Sequence, residues 1–223
     1  MKAKVDNLIS DLNGKVVIEG MEAYNDLRKV WNGMIDAHPE MLVLCETKDD
    51  VVKAVNFARE NGITISIRGG GHNVAGRAVV DGGMVIDLRK MHGVWIDAEN
   101  RTAFVEGGAT LGDLDRTSQQ YGMVVPSGFV SRTGIAGLTL GGGLGHLMRR
   151  FGFTCDNLLS AELVTGDGEI LEVNEKNHGD LFWAIRGGGI DLGVVTTSRF
   201  RLHEMMREVT FINQSFPAEE SEK

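Results

Sequence analysis

The 223 residues carry 23 Lys and Arg against 31 Asp and Glu, a formal net charge of −8 with a pI of about 5.3, and no basic run longer than a pair. That balance leaves no electrostatic footprint for a nucleic-acid backbone or an anionic bilayer, and both are excluded as expected partners. Hydrophobic residues make up 42% and charged ones 24%, enough for one large domain or two small lobes with a real core.

The chain opens Met1-Lys2-Ala3-Lys4-Val5-Asp6, acidic before any hydrophobic signal core, and no stretch approaches the roughly 18 uninterrupted apolar residues of a spanning helix. A cytoplasmic protein is expected. A helix is expected over Tyr24–Trp31, and a second, amphipathic one over Val51–Glu60, capped by Thr47-Lys48-Asp49-Asp50 and stopped by Asn61-Gly62. Ile63–Ile67 alternates as a strand and runs into Arg68-Gly69-Gly70-Gly71-His72-Asn73, where three glycines bring bare backbone N–H groups to the surface beside an imidazole. Short alternating runs come next at Val85–Leu88, Gly93–Asp97 and Thr102–Glu106.

A helix is expected over Thr110–Tyr121, with Thr110 as N-cap and Gly122 as stop. Val124-Val125-Pro126-Ser127-Gly128 then enters a glycine-rich region reaching Gly145, in which Ile135, Leu138, Leu140 and Leu144 are spaced for a short buried helix. Ala161–Thr165 and Glu169–Val173 form a hairpin over Gly166-Asp167-Gly168, and Val194–Leu202 is a further strand after Arg186-Gly187-Gly188-Gly189. The 30 glycines are about twice the usual share and concentrate between segments with apolar periodicity, so they mark turns of a folded α+β protein. Cys45 and Cys155 stand far apart without a zinc or CxxC motif and read as buried thiols. The last residues, Phe216–Lys223, are mostly polar and expected to fray.

Three glycine clusters at strand ends could surround one extended anionic ligand with backbone donors. Walker A, the Rossmann fingerprint, GxSxG and HExxH are all missing. Together, RGGGHN at 68–73, DLRKM at 87–91, VEGGATLGDL at 105–114, VPSG at 125–128, GLTLGGGLGHLMRRFG at 137–152, TCDNL at 154–158 and DLFWAIRGGG at 180–189 closely resemble the FAD-binding domain of the vanillyl-alcohol oxidase superfamily. The bacterial berberine-bridge-enzyme-like oxidoreductases are the branch most resembled, over about Tyr24 to Leu202.

The resemblance implies a two-lobed PCMH-type FAD-binding domain with mixed and antiparallel sheets flanked by helices. Residues 1–22 would be an N-terminal extension, 23–203 the domain, with lobes of about 23–90 and 91–203, and 204–223 a C-terminal tail. FAD would run along Arg68, Gly69, Gly70, Gly71, His72 and Asn73. It would also contact Ser127, Gly128, Thr133, Gly134, Gly137, Leu138, Gly142, Gly143, Gly145, Gly193 and Val195. His72 matches the family's flavinylated histidine, and a neutral imidazole has the lone pair that bonding to the flavin 8α carbon needs. The family's second attachment point, a cysteine, falls at Val130, so the expected link is monocovalent. Thr133 stands where the family places an oxygen-gating side chain, which leaves oxidase against dehydrogenase open, and Ile190-Asp191-Leu192 departs from the usual Gly-Asn-Phe.

Relatives add a second domain that covers the isoalloxazine and supplies the catalytic base, and no segment after Leu202 is expected to fill that role. The expected function is therefore the FAD-binding module of a flavin-dependent oxidoreductase, its substrate domain outside this chain. The alternative is a non-catalytic flavin-binding protein or subunit, its flavin covered by a homodimer contact or a separate partner; binding of another nucleotide diphosphate is the third reading.

Individual residues keep plainer readings beside these. His72 could be a turn histidine satisfied by backbone, and Arg68 could pair with a surface carboxylate or meet a phosphate. His146 reads as a helix-start residue; His38, His92, His178 and His203 as surface residues; Asp156 and Asn157 as turn caps; Arg149-Arg150 as a solvated pair. Trp31, Trp95 and Trp183 are expected in packing, and Met205-Met206 as an exposed apolar patch.

Overall fold

The computed structural model describes residues 2–189, 191–205, 208, 210, 212 and 214–217. Its first sheet holds β1 (Lys15–Ile18), β2 (Met41–Leu44), β3 (Ile65–Arg68) and β4 (Met84–Asp87) in the order β1-β2-β4-β3. β2 and β3 both run parallel to β4, and β1 is antiparallel to β2. Parallel strands need both faces covered, and the apolar runs Met-Leu-Val-Leu and Met-Val-Ile meet that need by alternation. Met41, Val43, Met84 and Ile86 pack with Val51, Ala54, Val55 and Ala58 of α3 (Lys48–Asn61), while Leu42 and Val85 pack with Val17 and Tyr24 on the opposite face. The α3 capping box forms as expected, Thr47 accepting from the Asp50 N–H and Asp50 from the Thr47 N–H, and Gly62 closes the helix in the left-handed region.

The second sheet is antiparallel throughout: β5 (Val94–Asp97), β6 (Thr102–Glu106), β10 (Val194–Arg201), β8 (Leu158–Val164) and β9 (Ile170–Asn174), in that order. One face carries Ala103, Val105, Ala161, Leu163, Val173 and Phe200. Against it pack Leu111 and Leu114 of α4 (Leu111–Ser118), Ile135 of α5 (Ile135–Leu140), and Phe182 and Ile185 of α7 (Gly179–Ile185). Val164 and Val194 instead join the α3 cluster, so the two sheets share core at that corner. A two-stranded sheet pairs β7 (Met123–Val124) with β11 (His203–Glu204), and α6 (Met148–Phe151) lies just past the glycine-rich region. The architecture is the α+β arrangement expected. Among the described residues no helix is long and apolar enough to cross a membrane.

Several expectations change. The first 22 residues are more than an extension: α1 (Lys2–Asp11) packs on α3, β1 is a sheet edge, and Leu8, Val16 and Val17 are buried. The helix from Tyr24 stops as α2 at Leu27, because the Arg68 guanidinium takes the Leu27 and Lys29 carbonyls and the Trp31 N–H donates to Gly71 O. Trp31, Trp95 and Trp183 are all exposed rather than packed, and so is Leu144, which lies beyond the end of α5. His203 is half-buried, stacked on Phe151 and bonded to Asn157. Met205 is half-buried, with its N–H on Gly122 O; residues 206, 207, 209, 211, 213 and 218–223 of the expected tail lie outside the described residues, as does Ile190.

Candidate functional site

β3 ends in Arg68, and this residue holds the 69–73 loop from beneath. Arg68 is 4% exposed, with its guanidinium donating to Leu27 O and Lys29 O. Desolvation, and secondarily the Arg89 charge, draws its pKa down to about 10, against the opposing pull of Asp87, so it stays a cation at neutral pH. Arg68 is thus a buried anchor that neither pairs with a surface carboxylate nor faces the open cleft. The glycines above it are sterically required: a Cβ on Gly69 would lie 3.0 Å from Gly107 O, and one on Gly70 would lie 2.2 Å from Gly134 N. Gly71 has φ +71°, a conformation that disfavours a side chain. The Gly134 contact is reciprocal, a Cβ there reaching Gly70 N at 2.3 Å. Three segments therefore meet backbone to backbone: 69–71, 107–109 and 133–134. Leu111 N–H to Thr133 O (2.9 Å) and Ile135 N–H to Ala109 O (3.0 Å) sew the last two together.

Above this junction lies a cleft of about 440 Å³, lined by Gly70, His72, Arg89, His92, Gly108, Thr110, Asp113 and Arg132. A second cleft of about 480 Å³ adjoins it and shares Thr110 and Arg132. Among the described residues the one carboxylate lining the first cleft, Asp113, is already engaged by the Thr110 N–H and hydroxyl and by Arg116. Burial acts to raise its pKa, but those Thr110 bonds and the Arg116 charge outweigh it and hold Asp113 below the usual value. Arg89 forks onto Asp87, and Arg132 makes no ion pair among the described residues. The net result is a cleft whose described lining offers cations and no uncommitted anion, while the Arg89, Gly108, Thr110 and Asp113 N–H groups are already donated within the fold.

His72 stands on its rim, half-buried, its ring stacked on Trp31 with centroids 5.7 Å apart and planes 22° apart. Partial desolvation, and then the Arg132 charge, lowers its pKa, so the neutral imidazole persists below the ordinary 6.5. The Asn73 Oδ1 is engaged in the turn, accepting from the Arg77 N–H at 3.1 Å.

The second glycine-rich segment behaves differently. Gly142 and Gly143 adopt φ of +101° and +84°, and a Cβ on Gly137 or Gly142 would meet no atom within 4 Å. Gly145 lies against Ser127 O, and Gly128 against Leu138 and Leu111. Thr133 meets the junction through its carbonyl, and Val195 buries its side chain so that only its backbone faces Gly107, behind the cleft wall. Gly193 (φ +142°) lies instead against Val164 O and the Leu163 side chain. As expected, Asp156 and Asn157 cap a turn: Phe153 N–H donates to Asp156, and Asn157 Nδ2 donates to Phe151 O and Phe153 O. Cys45 and Cys155 are buried free thiols.

Residues 39–174 match the family model described as an FAD binding domain. The chain belongs to that family. An FAD-linked oxidoreductase of Bacillus subtilis is 38% identical over 195 residues, 85% of this chain and 43% of that protein. The crystal structure of 6-hydroxy-D-nicotine oxidase from Arthrobacter nicotinovorans superposes with a TM-score of 0.85 at 36% identity, over 87% of this chain and 43% of its own. Glucooligosaccharide oxidase from Acremonium strictum, described with a 6-S-cysteinyl, 8α-N1-histidyl FAD, superposes at 0.85 with 29% identity, over 90% of this chain and 43% of its own. This FAD-binding domain thus spans less than half the length of the relatives it matches. The residues at the site to which the sequence reading gave no ligand role are Trp31, Arg89, His92, Gly108, Thr110, Asp113 and Arg132, of which Trp31, Thr110 and His92 were read as packing, N-cap and surface residues. Arg89, Thr110 and Asp113 lie inside the motifs DLRKM and VEGGATLGDL, but single-sequence patterns do not say which side of a turn faces a ligand.

Proposed function

We propose that this domain holds FAD across the cleft at the 69–71, 107–109 and 133–134 junction, joined to it by a single bond from His72, as the flavin module of an FAD-linked oxidoreductase. The observation that carries the reading is the cleft itself: Arg132 and glycine main chain line it, the one carboxylate among its described lining residues is spent, and a partly desolvated histidine with a lowered pKa stands at its rim. That donor set suits an anionic diphosphate, and the glycines let the backbone approach it closely. Gly70 and Arg132 would hold the diphosphate side, with Gly108, its N–H already donated to Met91 O, leaving room for the approach; Gly137 and Gly142, where a Cβ meets nothing, would border the rest. Arg68 acts from below by fixing the loop. When bound, FAD would accept two electrons from a substrate C–H bond.

The chain's own contribution is orientation and protonation state. Trp31 stacks against the His72 ring, and burial, then the Arg132 charge, lowers the pKa of that ring and so favours its neutral form, with a lone pair available. Val130 at the position of a second attachment supports a single link. Phe129, Val130, Leu144, Met148 and Phe153 are exposed around the second glycine segment, which supports a further reading in which a second copy or a separate subunit covers the flavin. The purified protein separates these readings. Oxygen uptake with sugars or hydroxylated aromatic amines tests turnover, and the native mass tests association. A colourless protein that gains no flavin signal on addition of FAD would overturn the cofactor assignment.

A further inference from the structure

The least expected local structure surrounds His203, the first residue of β11. Its backbone pairs with Val124 of β7, two residues before the Pro126-Ser127-Gly128 entry to the second glycine segment. Its side chain reaches the exit of the same segment: Nε2 lies 2.6 Å from Asn157 Oδ1, and its ring stacks on Phe151 at 4.1 Å and 19°. Asn157 is 2% exposed, and its Nδ2 donates 2.9 Å bonds to both Phe151 O and Phe153 O. With the amide nitrogen occupied, Oδ1 must accept, so His203 Nε2 carries the proton and donates. The turn that Asn157 fastens reaches back to the glycines: Thr154 N–H and Oγ1 donate to Gly143 O at 3.0 and 3.2 Å, and Cys155 N–H donates to Gly142 O at 3.0 Å.

We infer that His203 is a positioning residue for the cofactor loop, a latch whose backbone holds the entry of the 127–145 segment and whose imidazole, through Asn157, holds the Gly142-Gly143 exit. Gly142 and Gly143 sit at φ values that a free glycine chain would sample among many others, so their native shape depends on these outside bonds. Burial, and then the Arg201 and Arg150 charges, keeps His203 neutral, consistent with a single-donor role. Asp156, which caps the same turn, binds Phe153 N–H and leaves His203 alone. The inference rests on the reading that this segment borders FAD.

The test is FAD titration by flavin-fluorescence quenching on the full chain carrying His72→Ala, in which binding is reversible. In that background His203→Gln keeps a donor for Asn157, and His203→Phe keeps only the stack on Phe151. Expected is a Kd about 10-fold weaker for His203→Phe and within about 2-fold of the parent for His203→Gln, the range of one buried hydrogen bond. The latch is overturned if His203→Phe lowers Tm yet binds FAD as tightly as the parent, or if both variants weaken binding equally. Failure of the parent to bind FAD would overturn the cofactor assignment and the latch with it.

Discussion

The two glycine-rich segments use the same residue for largely different physical reasons. At 69–71 glycine is required by lack of room: Gly70 and Gly134 touch backbone to backbone, Gly69 lies against Gly107 O, and Arg68 anchors the loop from inside the core. At Gly137 and Gly142 there is room to spare, and Gly142 and Gly143 supply conformations that side chains avoid, held by bonds from the 154–157 turn; Gly143 alone is crowded as well, a Cβ there lying 2.2 Å from Thr154 Oγ1. The first segment is a rigid floor set by packing. The second is held in shape by hydrogen bonds from outside it, and segments held that way are where cofactor-dependent ordering belongs.

The largest expected break in this contrast is Gly70→Ala. Overpacking against Gly134 should cost ~3 kcal/mol and lower Tm by roughly 6–12 °C, measured by calorimetry on the apo chain. A loss below about 1 kcal/mol would mean the junction yields and the floor is not rigid.

Next comes pH. Because the His72 pKa is lowered, its neutral form persists on acidification below 6.5, and the rate of covalent FAD incorporation should fall only with a midpoint under that value. Arg132→Gln removes one of the two causes and should move the midpoint upward, toward 6.5. The stability linkage has the same sign: His72 favours the fold above pH 6.5 and loses that contribution as pH falls through its folded pKa.

A smaller effect is expected of Trp31→Ala, which removes an exposed ring stacked on His72 and should slow incorporation by about 2- to 10-fold, the worth of one aromatic contact, with little change in Tm. The smallest is Gly137→Ala. With no neighbour within 4 Å of the new methyl, α5 should gain about 0.5–1 kcal/mol while FAD binds more weakly. A stabilised variant with unchanged FAD affinity would remove Gly137 from the cofactor face.

The sequence was legible where local chemistry decides structure. Thr47 announces its capping box and Thr110 its N-cap, Asp167-Gly168 its hairpin, and Gly62 and Gly122 their helix stops. It was illegible where distant groups decide. Nothing in Tyr24–Trp31 says that Arg68, about 40 positions later, will claim the Leu27 and Lys29 carbonyls and end the helix. β1 and β2 are four-residue runs whose strand character exists only through pairing, and His203 looks like a surface residue until Asn157 and Phe151 are folded beneath it. Of the site, the glycines and His72 were readable from ordered motifs; the cation at Arg132 and the stacking Trp31 arise from tertiary juxtaposition.

The most direct test of the central claim, that this cleft holds FAD through one bond from His72, is the visible absorbance of the protein after acid precipitation, washing and dissolution in denaturant. The account predicts flavin absorbance that stays with the wild-type chain and is lost from His72→Ala, although that variant still binds FAD when folded. A colourless wild-type chain, or colour that survives in His72→Ala, would contradict it.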